Sequence, residues 1–220
     1  MREKFDKQLS ELKSELNHMG SIVEQAIEMA ISALVTQDVE KARKTMQLTE
    51  EIVHKERAIE GTCFHLLAMQ QPVAKDLRMI SSAMKMVTDI ERIGVQAADI
   101  AEISIMMADK TYIKKLEHLQ EMAKETIIMV IKSLEAFVVM DKKLAIEVIA
   151  SDDIVDNLFN TVKNELIRLI HENPENGEQA TDLLMVAKYF ERIGDPGRGQ
   201  YPPAPPVSSP DHAARACARR

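Results

Sequence analysis

The sequence predicts an all-α fold of two tandem, homologous three-helix bundles, with six long helices in up-down antiparallel packing. Three observations lead to this prediction: a helix-forming composition, apolar residues at helical spacing, and a motif that returns one hundred residues later. Hydrophobic residues make up 45% of the 220-residue chain, whereas aromatic residues make up 4% and Trp is absent. This composition is typical of a helical protein.

The first bundle is predicted over residues 1–109. In its first helix the apolar residues alternate in steps of four and three over about thirty residues, which is the pattern of a long amphipathic helix. Asp38 is a good N-cap for the second helix, and Pro72 marks the turn before the third. The predicted helices span about residues 5–36, 39–69 and 73–107. The residues predicted to face inward include Leu12, Leu16 and Met19 of the first helix, Met46 of the second and Leu77 of the third.

The second bundle is predicted over residues 110–195, because the same pattern starts again at Ile113. Its helices are predicted at about residues 113–139, 142–171 and 178–193, so its last helix is shorter than the third helix of the first bundle. Residues 196–220 hold six of the eight prolines of the chain. A segment of this composition cannot bury enough apolar surface to fold, so we expect a disordered tail.

An internal repeat supports the division into two bundles. It is visible at three places: Asp38 and Asp141 are 103 residues apart, residues 50–53 resemble residues 152–155 at an offset of 102, and Glu-Arg-Ile-Gly at 91–94 recurs at 191–194. Small slips of the offset at turns are expected in a duplicated fold. Long amphipathic helices also resemble one another by composition, but four identical residues in the same order favour duplication.

Charge and cysteine content limit the function classes. The net charge of −7 and the pI near 5.5 argue against binding to nucleic acid, because phosphates require a basic surface. Cys63 and Cys217 form no disulfide framework, which fits a reducing cytoplasm. The N-terminus lacks the apolar core of a signal peptide, and continuous apolar runs are shorter than the ~18 residues of a membrane span. We therefore expect a cytoplasmic protein that reaches a membrane only through partners.

The repeated motif carries the candidate metal ligands. Glu191 and Asp195 are four residues apart and can present two carboxylates to one cation. In the first copy, Glu91 is present, but Val95 stands one turn on and the next acid on that face is Asp99. The candidate metal residues are therefore Glu191, Asp195, Glu91 and Asp99, and a solvated helix face is the alternative.

Further acids lie on the second helix of each repeat. They are Glu50, Glu51, Asp152, Asp153 and Asp156. If that helix packs beside the third, carboxylates from both could converge on a metal ion. The alternative for most of them is an exposed charged stripe.

Two other function classes stay open, and the first of them is suggested by the carboxylates together with two further spacings. Glu-x-x-His spacings at Glu15–His18 and Glu51–His54 are typical of a ferritin-like di-iron or metal-storage protein, although the heptad position of His18 faces outward. A metal-free helical scaffold is the third class. A nucleophile beside a base, a Gly-rich phosphate loop and a dinucleotide fingerprint are all lacking, so we expect no enzyme activity.

Taken together, the paired bundles and the repeated Glu-Arg-Ile-Gly motif resemble the PhoU family of phosphate-uptake regulators. The resemblance covers residues 1–195 and is closest at residues 70–78, 88–94 and 97–102. It implies a non-enzymatic, cytoplasmic negative regulator of the phosphate-starvation response, which links the ATPase subunit of a phosphate ABC transporter to a sensor histidine kinase. We also expect a homodimer.

The resemblance further implies a metal site, with the family motif Glu-x-x-x-Asp supplying ligands to iron or a similar divalent or trivalent ion. Glu191 and Asp195 match the motif in full. In the first copy Glu91 matches, whereas Val95 stands where the family usually has Asp. Past Asp195 the family continues as a helix with a His, and this chain continues with Pro196.

Overall fold

The computed structural model describes residues 2–70 and 72–195, so the predicted tail, residues 196–220, lies outside the described residues. Six α-helices and one short 3-10 turn form two three-helix groups, which confirms the predicted fold class. The helices are α1 (Arg2–Thr36), α2 (Val39–Gln70), α3 (Ala74–Met106), α4 (Glu117–Val139), α5 (Lys142–Glu172) and α6 (Gly177–Gly194), and the 3-10 turn Pro174–Asn176 precedes α6.

The turn between the first two helices of each bundle is built in the same way. Gln37 and Met140 both take a left-handed conformation, with φ of 53° and 59°. The next residue, Asp38 or Asp141, donates its backbone N–H to the carbonyl five residues earlier and then caps the following helix with its side chain. These N-caps confirm the helix breaks that the two aspartates predict.

Burial shows how the two bundles correspond. In the first two helices the buried positions match at an offset of 103, for example Leu16 with Leu119, Met19 with Met122, Ile52 with Val155 and Ile59 with Val162. In the third helix they match at 100, as Gly94 with Gly194. Ile154, which an offset of 102 would pair with Ile52, is 46% exposed. The offset of 102 is therefore wrong, and the one-residue correction rotates the helix by about 100°.

Two glycines let the third helix of each bundle approach the second closely. A Cβ on Gly94 would lie 2.8 Å from Ile52 Cδ1, and a Cβ on Gly194 would lie 3.3 Å from Val155 Cγ1. Thr49 Oγ1 also donates a hydrogen bond of 3.0 Å to the Gly94 carbonyl. A side chain at either glycine would widen the spacing of the helices, which explains why a poor helix former stands inside both.

The bundles pack against each other along α1 with α4 and α3 with α6. Gly20 of α1 lies against Leu134 of α4 so closely that a Cβ there would displace the leucine side chain. The segment between α3 and α4 is tied to both bundles. Tyr112 Oη donates to the Leu34 carbonyl, and Gln179 Oε1 accepts from Ile113 N at 2.6 Å.

Some positions differ from the helical pattern predicted from the sequence. Leu77 and Met46, both predicted to face inward, are 46% and 39% exposed. Asp76 is the buried residue in the first turn of α3, so that turn is rotated by one position from the predicted face. The fourth helix begins at Glu117 and not at Ile113 as predicted. Residues 113–116 belong to the segment that connects α3 to α4.

The first helix is apolar enough to resemble a membrane span. Glu3–Thr36 reaches a mean hydropathy of 1.2 over an 18-residue window, although its continuous apolar runs are short. Half of that window is buried within the protein, and the core helix of a soluble protein passes the same test. No other helix among residues 2–70 and 72–195 has this character.

Candidate metal site

Four carboxylates lie near one another on α5 and α6 in the second bundle. Asp152 and Asp156 lie one turn apart on α5, and Glu191 and Asp195 lie four residues apart at the end of α6. The close contact of Val155 with Gly194 holds the two helices together at this level. We call Asp152, Asp156, Glu191 and Asp195 the acidic cluster.

Two acids of this cluster have raised pKa values. The pKa of Asp152 is raised from 3.8 to about 7, chiefly by burial and in part by the negative charges of Asp156 and Asp195. Asp156 is exposed on α5, but partial desolvation raises its pKa, and the charges of Glu191 and Asp195 act in the same direction. Like charges that oppose one another's ionisation favour the binding of a cation, which would neutralise them.

One ammonium group lies within this acidic cluster. Lys188 Nζ is 2.6 Å from Glu191 Oε2, which is buried and accepts no hydrogen bond, so the contact is an ion pair with poor hydrogen-bond geometry. The positive charge of Lys188 also opposes the rise in the pKa of Asp156. Sequence reasoning missed Lys188, although its position three residues before Glu191 on the same helix places the two side chains together.

The first bundle does not reproduce the acidic cluster. At the corrected offset, Thr49 and Val53 correspond to Asp152 and Asp156, and Val95 corresponds to Asp195. Only Glu91 retains a carboxylate, at the position of Glu191. The hydroxyl of Thr49 bonds to the Gly94 carbonyl instead. The first bundle therefore has a carboxylate at only one of the four positions of the acidic cluster.

The structure separates the predicted ligands of the first copy. Asp99 accepts a hydrogen bond from Tyr189 of the other bundle, and burial raises its pKa. Glu91 of α3 instead lies near Glu56 of α2. The pKa of Glu56 is raised by burial and by the negative charges of Glu60 and Glu91. The two carboxylates thus face different neighbours.

The remaining acidic and histidine candidates lie at the surface. Glu50, Glu51 and Asp153 are exposed, as the exposed-stripe alternative expects. His18 and His54 are exposed as well, so neither Glu-x-x-His spacing points into a bundle. Burial raises the pKa of the Cys63 thiol to about 11, which keeps this thiol protonated and unreactive.

The acidic cluster fits a hard metal ion in its donor chemistry. Carboxylate oxygens are ligands that magnesium, calcium, manganese and iron accept. The buried Glu191 Oε2 is paired with Lys188 but accepts no hydrogen bond, so it would become a ligand for such an ion once that ion pair opened. Within residues 2–70 and 72–195, no three acid, His or Cys side chains are already arranged around one point. Ion binding would therefore require some of these side chains to turn toward one another.

Comparison with known proteins gives consistent matches over both bundles. A family model described as the PhoU domain matches residues 16–104 and 119–197. The phosphate-specific transport system accessory protein PhoU homolog of Aquifex aeolicus is 37% identical over 189 residues, 86% of each chain. The homolog of Clostridium acetobutylicum is 37% identical over 195 residues, 88% of this chain and 89% of its own.

Two solved structures have the same fold. The crystal structure of PhoU from Pseudomonas aeruginosa matches with a TM-score of 0.84 and 31% identity, over 89% of this chain and 94% of that one. The phosphate transport system regulatory protein PhoU from Streptococcus pneumoniae matches with a TM-score of 0.75 and 27% identity, over 92% of this chain and 100% of its own.

Proposed function

This chain belongs to the PhoU family, whose domain model matches both bundles, and on that premise we propose that it is a regulatory accessory protein of phosphate transport. The observation that carries the proposal is the match of this one family to both halves of the chain. As an accessory or regulatory protein, like the relatives it matches, it is expected to be non-enzymatic.

In its finer form, the proposal is a cytoplasmic homodimer that represses the phosphate-starvation response. It acts as an adaptor between the ATPase subunit of a phosphate ABC transporter and a sensor histidine kinase, and it reaches the membrane only through those partners. The ferritin-like alternative receives no support from the surface positions of His18 and His54.

Deletion of the gene tests the regulatory role. If the protein represses the starvation response, cells without it are expected to produce alkaline phosphatase at high phosphate, where the parent strain does not. Restoring the chain from a plasmid is the control and is expected to return repression. A deletion strain that keeps phosphatase repressed at high phosphate would contradict the proposal.

We also propose that the acidic cluster binds iron or another divalent or trivalent cation. Asp152, Asp156, Glu191 and Asp195 would hold the ion through carboxylate oxygens, which extends the predicted pair on α6 by two ligands from α5. The ion would join the end of α6 to α5 by neutralising the negative charges that repel each other across the two helices. We do not include Glu91 and Asp99, because their side chains face different helices.

Titration of chelator-treated protein with Mn²⁺ tests this site. Asp152→Asn is expected to weaken binding by at least about tenfold, because it removes a charged ligand from the cluster. Glu91→Gln is the matched control, since it removes the carboxylate of the first bundle that corresponds to Glu191, and it is expected to leave the affinity unchanged. Equal losses in the two variants, or binding that neither affects, would exclude the acidic cluster as the site.

A further inference from the structure

The surroundings of Lys188 differ from those of a surface lysine. Its ammonium pairs with Glu191 and also lies 5.1 Å from the centre of the Phe159 ring. The side chain of Lys188 is 31% exposed and that of Glu191 is 15% exposed, so the pair is largely shielded from water. A cation between an aromatic face and a shielded carboxylate is held by two attractions at once.

The first bundle keeps the glutamate, as Glu91, but has neither the lysine nor the aromatic ring at the corresponding positions. Thr88 stands in place of Lys188, and its hydroxyl bonds to the Met84 carbonyl of its own helix. Glu56 stands in place of Phe159. The lysine and its aromatic support therefore occur only in the bundle that has the four carboxylates, which suggests that they belong with the acidic cluster.

We propose that Lys188 is a built-in competing cation, which occupies Glu191 when no metal is bound and leaves it when a metal ion enters the acidic cluster. This inference rests on the proposed metal site and assigns its regulation to a residue of this chain. A metal ion and the ammonium of Lys188 are both cations, so they repel each other when both lie beside the carboxylate of Glu191. Metal binding therefore weakens the ion pair, and Lys188 sets the metal concentration at which the cluster fills.

Removal of the ammonium tests the competition. In Lys188→Met, which keeps an unbranched apolar side chain, the affinity for Mn²⁺ is expected to rise by about tenfold, the order of a partly screened charge at contact distance. Lys188→Arg keeps the charge and is expected to bind close to the wild-type affinity. Circular dichroism verifies that both variants fold.

Lys163→Met is the matched control, because it makes the same change at a second lysine beside the same ring. Lys163 Nζ is 5.8 Å from the Phe159 centre and donates to Asn160 Oδ1 at 2.9 Å, so this hydrogen bond goes to an amide and not to a carboxylate of the acidic cluster. Its Mn²⁺ affinity is expected to stay at the wild-type value. Equal increases in Mn²⁺ affinity in Lys188→Met and Lys163→Met would show that only the net charge of the protein matters, which would overturn the inference.

A second readout follows the amine itself. Saturating Mn²⁺ is expected to increase acetylation of Lys188 by acetic anhydride relative to Lys163, measured by peptide mass spectrometry, because the released amine is no longer paired. Suppose that the wild type binds Mn²⁺, that Lys188→Met binds it no more tightly, and that Mn²⁺ does not increase acetylation of Lys188. That result would overturn the role of Lys188 but not the metal site. Absence of Mn²⁺ binding in the wild type and in Lys188→Met would instead remove the metal site and this inference together.

Discussion

Replacement of Phe190 by alanine is expected to destabilise the protein by about 3–5 kcal/mol, the usual cost of emptying a buried phenylalanine site. Phe190 is 0% exposed and is among the largest fully buried side chains. It lies on α6, which has 18 residues where α3 has 33, so few other apolar side chains of α6 can compensate. Urea unfolding followed by circular dichroism measures the loss.

The control for this prediction is the same substitution at an exposed phenylalanine. Phe64 on α2 is 57% exposed, so Phe64→Ala is expected to change the free energy of unfolding by no more than about 0.5 kcal/mol. Similar losses in the two variants would show that Phe190 does not anchor the second bundle. Because Phe190 precedes Glu191 on the same helix, we also expect Phe190→Ala to weaken Mn²⁺ binding.

The second large effect is a dependence of stability on pH that comes from the acidic cluster. The pKa of Asp152 is raised from 3.8 to about 7 by burial and by the neighbouring acids, so the folded protein binds a proton more tightly than the unfolded chain. The contribution of protonated Asp152 to the free energy of unfolding is therefore present at low pH and is lost as the pH rises from about 4 to about 7.

Asp152→Asn isolates this contribution in chelator-treated protein. The variant is expected to be more stable than the wild type at pH 8, by on the order of 1–2 kcal/mol after allowance for solvent screening of a half-buried group. The difference should shrink toward zero near pH 4. Asp89, whose pKa burial raises to about 6, gives a dependence of the same sign in both proteins and cancels from the comparison.

Urea unfolding at several pH values provides the measurement. A difference between Asp152→Asn and the wild type that does not change with pH would contradict the prediction, as would an asparagine variant that is less stable at pH 8. The same variant is expected to bind Mn²⁺ more weakly. A gain in metal-free stability together with a loss of metal binding would show that the cluster stores charge repulsion that an ion relieves.

Helical periodicity was sufficient for most of the fold. The seam of α1 that the sequence predicts, including Leu12, Leu16 and Met19, is buried, and the breaks at Asp38 and Asp141 lie at the predicted N-caps. These features depend on neighbours within a few residues along the chain, so they can be derived from spacing and capping chemistry alone. The pairing of Glu191 with Asp195 on one helix face could be predicted for the same reason, because the two residues are four positions apart.

The composition of the acidic cluster could not be derived in this way, because it depends on how α5 packs against α6. Sequence similarity pairs Glu50 with Asp152, whereas packing of Ile52 on Gly94 and of Val155 on Gly194 pairs Thr49 with Asp152. That shift of one residue turns Glu50 and Glu51 to the surface and leaves the first bundle without the carboxylates of the second. An α-helix has 3.6 residues per turn, so a shift of one residue turns a different set of side chains toward the neighbouring helix. Only the tertiary contacts between the helices set that register.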